Sequence, residues 1–256
     1  MWWNSHAQEL YVAHTPLTID HHKTFQTQTL NRVMNIMNGS FSDRYKSSDP
    51  YKFLNDPENK PTREPDWFHY YANGFGGVRP LQILVEIKSK NSDEAWPQVI
   101  HALQPFREKG WLTTYKNGRI HYGPLIVVGT GGTPLEQVAP KSKRDYFYDC
   151  PLGSMDKINV YGGVKYHFNA TLCPFSSDNY VDEGKAYFGL TPPPKDIIKK
   201  DRAAIEQAHK HNSTARFYGI VPFPPDSKYA DYNMLVEQGI DWLNLDDLND
   251  AEAYSP

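Results

Sequence analysis

Glu86 and Lys88 are the residues whose types and spacing most directly suggest chemistry. They close the run Leu-Gln-Ile-Leu-Val-Glu-Ile-Lys at residues 81–88, which is typical of a strand buried on both faces of a parallel sheet. Side chains two residues apart along a strand point to the same face, so these two are expected to lie together. Buried charge is unfavourable unless it is paired or binds a ligand. Glu86 would be a hard oxygen ligand for Mg²⁺ or Ca²⁺ and Lys88 would neutralise a phosphate, whereas the structural alternative is an ion pair that caps the strand.

His14 is a second residue that can transfer protons near neutral pH. It ends the segment Glu-Leu-Tyr-Val-Ala-His at residues 9–14 and precedes Thr-Pro. A single histidine is more often a surface or packing residue than a catalytic one. The residues alone therefore leave open whether His14 transfers protons or only packs. The neighbouring His21 and His22 lack the carboxylate and the spacing that a zinc site needs, and we interpret them as loop residues.

Two further patterns follow predicted strands. The glycine-rich stretch at residues 129–134 can offer backbone N–H groups to a phosphate, but it fits neither the dinucleotide nor the P-loop pattern. A tight strand-to-helix turn is the favoured interpretation. Asp149 and Asp246 end strands, and either could pair with Glu86 as in a glycosidase if the two carboxyl groups were roughly 5–10 Å apart.

Alternating strands and helices must position these residues. Apolar runs predict strands at residues 9–14, 81–88, 125–131, 145–149, 164–172, 215–220 and 240–247. Helical spacing predicts helices at residues 24–38, 92–109, 194–211 and 229–238. Residues 40–80 are polar and rich in proline and glycine, which indicates a long irregular excursion. The alternation favours an α/β fold, a (β/α)₈ TIM-type barrel incomplete at its N-terminal end, as one domain over residues 1–256.

Composition excludes several classes of protein. The net charge is −3, so electrostatics gives no reason to expect a nucleic-acid partner. No apolar run of about 18 residues predicts a transmembrane helix, and the N-terminal residues do not resemble a signal peptide. Cys150 and Cys173 are too few for a disulfide framework; they can pair if close in space, but two thiols in a reducing compartment is the favoured interpretation.

The order of several segments resembles a known family, the fungal "altered inheritance of mitochondria protein 6" group. This group belongs to the phospholipase-C-like phosphodiesterases, with the glycerophosphodiester phosphodiesterases. The resemblance covers nearly the whole chain and weakens at residues 40–80. It is carried by segments at residues 9–14, 81–88, 111–113, 128–131, 148–152 and 239–248.

The resemblance implies a (β/α)₈ barrel that cleaves phosphodiesters with two histidines and a divalent metal. His14 matches the second catalytic histidine, Glu86 a metal carboxylate, and Lys88 the basic residue beside the phosphate. The implied partner is a phosphodiester small molecule or a lipid head group, and the implied cofactor is Mg²⁺ or Ca²⁺. The metal would polarise the phosphoryl oxygens while the imidazoles transfer protons.

The sequence departs from this family at its start. The family's first strand carries the other catalytic histidine and its second strand carries a Glu-x-Asp metal pair. The resemblance implies that the present 256 residues begin just past that pair. Hydrolysis by these residues is therefore expected to lie near the background rate. The alternative function is a non-catalytic barrel that binds an anionic ligand or a protein partner through the same rim.

Overall fold

Parallel strand pairs and the helices that cover them make up a mixed α/β structure. The computed structural model describes residues 1–37, 80–180, 194–221 and 225–247, with residues 251 and 254. The chain divides into two units, Met1–Tyr146 and Phe147–Pro256. The predicted excursion at residues 40–80 lies outside the described residues, apart from Pro80.

Thirteen strands are found among the described residues. They are β1 (Trp2–Asn4), β2 (Glu9–Tyr11), β3 (Leu81–Ile87), β4 (Thr114–Lys116), β5 (Arg119–His121), β6 (Leu125–Gly131), β7 (Lys143–Arg144), β8 (Phe147–Pro151), β9 (Ile158–Tyr161), β10 (Val164–His167), β11 (Phe175–Asn179), β12 (Thr214–Tyr218) and β13 (Trp242–Leu243).

The described helices are shorter than the predicted ones at several ends. They are α1 (Asn31–Met37), α2 (Ser92–Ala102), α3 (Gln104–Glu108), α4 (Leu135–Val138), α5 (Lys195–Lys210) and α6 (Pro225–Glu237), with a π-helical turn at Gln26–Leu30. The helix predicted at residues 92–109 is divided at Leu103, because Pro105 cannot donate the backbone hydrogen bond that a continuous helix requires. Within the described residues, no helix has the length and hydropathy to cross a bilayer.

In the first unit, β3 and β6 pair in parallel over their whole length, from Leu81 opposite Leu125 to Ile87 opposite Gly131. Alternate side chains of β3 are buried, while β6 is buried continuously from Leu125 to Gly129. Helix α2 covers this pair with Trp96, which is fully buried. A Cβ atom at Gly129 would lie 2.6 Å from the Trp96 ring, so glycine at this position permits the close packing of helix on strand.

The first unit also contains antiparallel pairs that the sequence did not predict. β1 pairs with β2, and β4 pairs with both β5 and β7. The β4–β5 turn consists of Asn117 and Gly118, both with positive φ, as a two-residue hairpin turn requires. β2 lies in a segment that was predicted as a strand. The others are only two or three residues long, too short for their hydrophobic period to be recognised.

In the second unit, β8, β11, β12 and β13 form a parallel sheet in the order β13-β12-β11-β8. The core beside it includes Ile205, Phe217, Tyr232 and Leu235. The strand predicted at residues 164–172 is confirmed only over Val164–His167, which pairs antiparallel with β9 in a hairpin and does not join the parallel sheet. Together the two units hold six strands in parallel pairings among the described residues. The complete (β/α)₈ barrel and the single domain over residues 1–256 stay predictions.

Cys150 and Cys173 form a disulfide, which corrects the favoured interpretation of two free thiols. Cys150 lies in β8, and Cys173 precedes β11, the neighbouring parallel strand. This pairing brings the two Cα atoms to 5.7 Å, within the range that a disulfide spans. Both cysteines are fully buried.

Asp156, at the base of the β9–β10 hairpin, is expected to make stability depend on pH in acid. Hydrogen bonds from Lys210 and then His211 lower the pKa of its carboxyl from 3.8 to about 2. A carboxyl whose pKa is depressed by folding stabilises the folded state above its ordinary pKa, and this contribution is lost as the pH falls through the depressed pKa. Asp156→Asn should therefore lower the free energy of unfolding at pH above 4, with the difference from wild type vanishing near pH 2. Denaturant titration across this range measures it.

The matched control is Glu206→Gln, which also removes a carboxylate, from an exposed position on α5. It should change stability little at any pH. If Asp156→Asn lowered the free energy of unfolding equally at pH 2 and above pH 4, the Asp156 carboxylate would not be the source of the pH dependence.

Candidate functional site

Glu86 and Lys88 lie at the carboxyl end of β3, where the parallel pair with β6 ends. Glu86 stands opposite Thr130 in the register. The Lys88 Nζ is 3.3 Å from the Glu86 Oε2, and the two side chains are 22% and 52% exposed, respectively. The ion pair thus faces solvent rather than the core. Its charges are available to a ligand without the full penalty of burial.

Lys88 also connects this strand to the segment that carries His14. Its Nζ donates a hydrogen bond of 3.4 Å to the backbone carbonyl of His14. Its backbone N–H donates to the carbonyl of Met1 at 2.9 Å, which places β1 beside the end of β3. Residues far apart in the chain therefore meet around one ammonium group. The structure brings His14, Glu86 and Lys88 together, and their catalytic and metal-binding roles stay predictions.

The His14 segment is held in place from both sides. The Trp2 indole N–H donates to the Ala13 carbonyl at 3.1 Å, and the Val12 N–H donates to the Lys23 carbonyl at 2.8 Å. The His14 side chain itself is exposed. A fixed backbone with an exposed imidazole suits a group that exchanges protons with a bound molecule.

The glycine-rich exit of β6 is a tight strand-to-helix turn, as predicted. β6 ends at Gly131, which has a φ of +64°, and α4 begins four residues later. The N–H of Gly132 donates to the Ile87 carbonyl at 2.8 Å, so this amide is engaged within the fold. A Cβ atom at Gly131 would lie 2.8 Å from the Glu86 Cγ. Gly131 therefore gives Glu86 its space, a role that the sequence analysis missed.

A cavity of about 410 Å³ lies against the segments on either side of His14. Trp2 and Tyr11 are opposite each other on β1 and β2, and the ring of His21 meets that of Tyr11 edge to face at 5.0 Å. His21 was interpreted from the sequence as a loop residue, and neither it nor Trp2 belongs to a motif that reveals a cavity. The lining residues are Trp2, Trp3, Asn4, Ser5, Tyr11, Pro16, Ile19 and His21.

The described residues provide too few side-chain ligands for the predicted divalent metal. Across those residues, no group of three or more His, Cys, Asp or Glu side chains is placed to hold a metal ion. Glu86 offers one carboxylate, which is paired with Lys88. Mg²⁺ and Ca²⁺ need more oxygen ligands than that, so the described residues do not fit such a site by themselves. The metal stays a prediction.

Asp149 and Asp246 belong to the second unit. Asp149 lies in β8 and accepts a hydrogen bond from the Ser177 hydroxyl. Asp246 follows β13 and accepts one from the Asn244 side chain at 3.1 Å. The pairing of either carboxylate with Glu86, as a glycosidase requires, stays a prediction.

Comparison with known proteins agrees with the resemblance. The sequence profile of the AIM6-like phosphodiesterase domain matches residues 2–149, which include His14, Glu86 and Lys88. The chain is 27% identical over 251 residues to the "Altered inheritance of mitochondria protein 6 homolog" of Arthroderma benhamiae, covering 96% of this chain and 70% of that protein. It is 22% identical over 189 residues to "Altered inheritance of mitochondria protein 6" of Eremothecium gossypii, covering 68% of this chain and 46% of that protein. No solved structure matches the chain significantly. The profile matches more than half of the sequence, and the chain therefore belongs to the family of AIM6-like phosphodiesterase domains.

Proposed function

We propose that this protein binds and hydrolyses phosphodiesters of the glycerophosphodiester or phospholipid type at the end of β3. The observation that carries the proposal is the Lys88 ammonium group, held between the Glu86 carboxylate and the His14 carbonyl in a member of a phosphodiesterase-domain family. A compact positive charge at the end of a parallel strand suits the monoanionic phosphate of a diester.

Each residue has a distinct part in the proposed reaction. Lys88 binds the non-bridging phosphate oxygens and offsets the charge that develops on them. Water attacks phosphorus while the bond from phosphorus to the leaving oxygen breaks, and the His14 imidazolium gives its proton to that oxygen. The attacking water loses one proton to the solvent, and the solvent protonates His14 again. The products are an alcohol and a phosphomonoester. Glu86 orients Lys88 through their ion pair.

The cavity beside His14 is the proposed place for one alcohol group of the substrate. Its aromatic walls, Trp2 and Tyr11, suit an apolar or sugar-like group, and Asn4 and Ser5 add polar atoms. A substrate whose phosphate lies at Lys88 would place this group toward the segment that carries His14. The proposed divalent metal would use Glu86 as one ligand and needs further donors.

Replacing Lys88 tests the phosphate site directly. Lys88→Gln is expected to raise the Kd for bis(p-nitrophenyl) phosphate by about 10- to 100-fold, because it removes a charge-assisted hydrogen bond to phosphate. Titration calorimetry with and without Mg²⁺ or EDTA measures the Kd and tests the metal. Glu86→Gln removes the ion pair that orients Lys88, so it should weaken binding in every arm and weaken it further where the metal contributes.

The matched control is Lys90→Gln, which removes the same charge from an exposed position two residues along the chain. Equal losses in the Lys88 and Lys90 variants would show that only general electrostatics attracts the anion. Binding that depends on Lys88 without any turnover would favour a binding protein over a hydrolase.

A further inference from the structure

The β9–β10 hairpin exposes apolar side chains in the second unit. Ile158, Val160 and Val164 are 56%, 58% and 52% exposed, although β-branched apolar residues normally pack against a neighbour. The hairpin turn consists of Gly162 and Gly163, both with positive φ, so the apolar residues flank a narrow tip. By the strand register, Val164 lies on the face opposite to that of Ile158 and Val160. The exposed apolar side chains therefore lie on both faces beside the turn, and such a cluster indicates a contact with a partner.

Only positive charge accompanies this patch. Lys165 lies beside the tip, Lys157 lies at the base with its ammonium group donating to the Ser154 hydroxyl at 3.5 Å, and residues 157–168 contain no aspartate or glutamate. Lys165 stands opposite Val160 in the hairpin register, so the ammonium group and the exposed valine share one face. Neither lysine forms an ion pair with another described residue. The patch is therefore apolar at its tip and cationic around it.

The base of the hairpin is firmly held. Met155 and Phe168, on its two sides, are almost fully buried. The carboxylate of Asp156 accepts hydrogen bonds from Lys210 at 2.9 Å and from His211 at 2.7 Å. An isolated two-stranded hairpin is marginally stable in water, so this anchoring is what lets the tip stand exposed.

We propose that this hairpin docks the protein on an anionic phospholipid surface. The apolar tip would enter the boundary between head groups and acyl chains, and Lys165 beside the tip would meet a lipid phosphate. Tyr161 and Tyr166, whose rings lie 6.4 Å apart, are amphipathic residues suited to the depth of the head groups. A second copy of the hairpin is a poorer partner, because it would place lysine against lysine. The proposal goes beyond hydrolysis at β3 and does not depend on it.

Vesicle flotation tests the proposal on the whole protein. Vesicles of phosphatidylcholine with phosphatidylserine should carry the protein, and vesicles of phosphatidylcholine alone should carry much less. The double variant Val160→Asp with Val164→Asp should lower the partition coefficient at least about tenfold, because it places two acidic groups at the inserting tip. Lys165→Gln should lower it on anionic vesicles about fivefold, and added salt should have a similar effect.

Leu17→Asp is the matched control, since Leu17 is 97% exposed in the first unit. It should leave flotation unchanged, and a loss equal to that of the hairpin variant would overturn the proposal. Unaltered binding of the hairpin variants would also overturn it. A hairpin-dependent dimer in light scattering, without vesicle binding, would assign the patch to a second copy instead. Phosphodiester hydrolysis in solution is measured separately, so its absence would leave the docking result intact.

Discussion

His14→Gln is expected to bring the small protein-dependent rate of phosphodiester hydrolysis down to the blank for a substrate with an alkyl leaving group, because a positioned proton donor contributes about 10²–10⁴-fold. The alkoxide formed by such a substrate is a poor leaving group until it is protonated, and the exposed His14 imidazole is the proposed proton donor. Glutamine keeps the polarity and approximate size of the side chain but transfers no proton. The loss should therefore appear in kcat, while KM changes little.

The leaving group provides the internal control. A p-nitrophenyl diester releases a stable anion and needs little protonation, so His14→Gln should slow it far less than the alkyl substrate. His22→Gln is the matched variant, because His22 is also exposed on the same segment and lies outside the cavity lining. The rate is followed by release of the free alcohol at high protein concentration, against a blank without protein.

Equal slowing of both substrates would assign His14 a structural role. A wild-type rate equal to the blank with every metal tried would contradict hydrolysis and leave the binding function. A His22→Gln loss as large as that of His14→Gln would show that the proton donor has been misplaced.

Removing the disulfide is expected to lower the free energy of unfolding by about 3 kcal/mol, from the chain entropy of the loop that it closes. Cys150 and Cys173 are 23 residues apart in sequence, and both are fully buried between neighbouring strands of the second unit. Cys150→Ala, Cys173→Ala and the double variant should all lose nearly the same free energy, because either change breaks the same bond. Chemical denaturation followed by tryptophan fluorescence measures these values.

Reductant supplies the control for this prediction. Reductant should lower the free energy of unfolding of the wild-type protein to nearly that of the double variant. It should leave the free energy of unfolding of the double variant unchanged. Single-variant losses that add up in the double variant would indicate two independent thiols instead of a shared bond. The first unit contains no cysteine, so local unfolding of Met1–Tyr146 should not respond to reductant.

Hydrophobic pattern in the sequence was enough to find the elements that carry the candidate site. The runs that became β3 and β6 have apolar side chains along nearly their whole length, and burial between layers is the environment that such runs require. The two-residue spacing of Glu86 and Lys88 placed them on one face, and their 3.3 Å ion pair follows from that period. The family resemblance is confirmed by the profile match to residues 2–149. Properties that depend on local periodicity were therefore predictable.

Contacts between distant residues decided the rest. β11 is central in the parallel sheet of the second unit, yet it reads Phe-Ser-Ser-Asp-Asn and shows no apolar run. Its buried hydroxyls are acceptable because partners elsewhere in the chain satisfy them: the Ser176 hydroxyl is 2.6 Å from that of Ser213, and Ser177 donates to Asp149. No local pattern reports those partners. For the same reason the disulfide, the cavity beside Trp2 and the contact of Lys88 with His14, 74 residues away, appear only once the chain is folded.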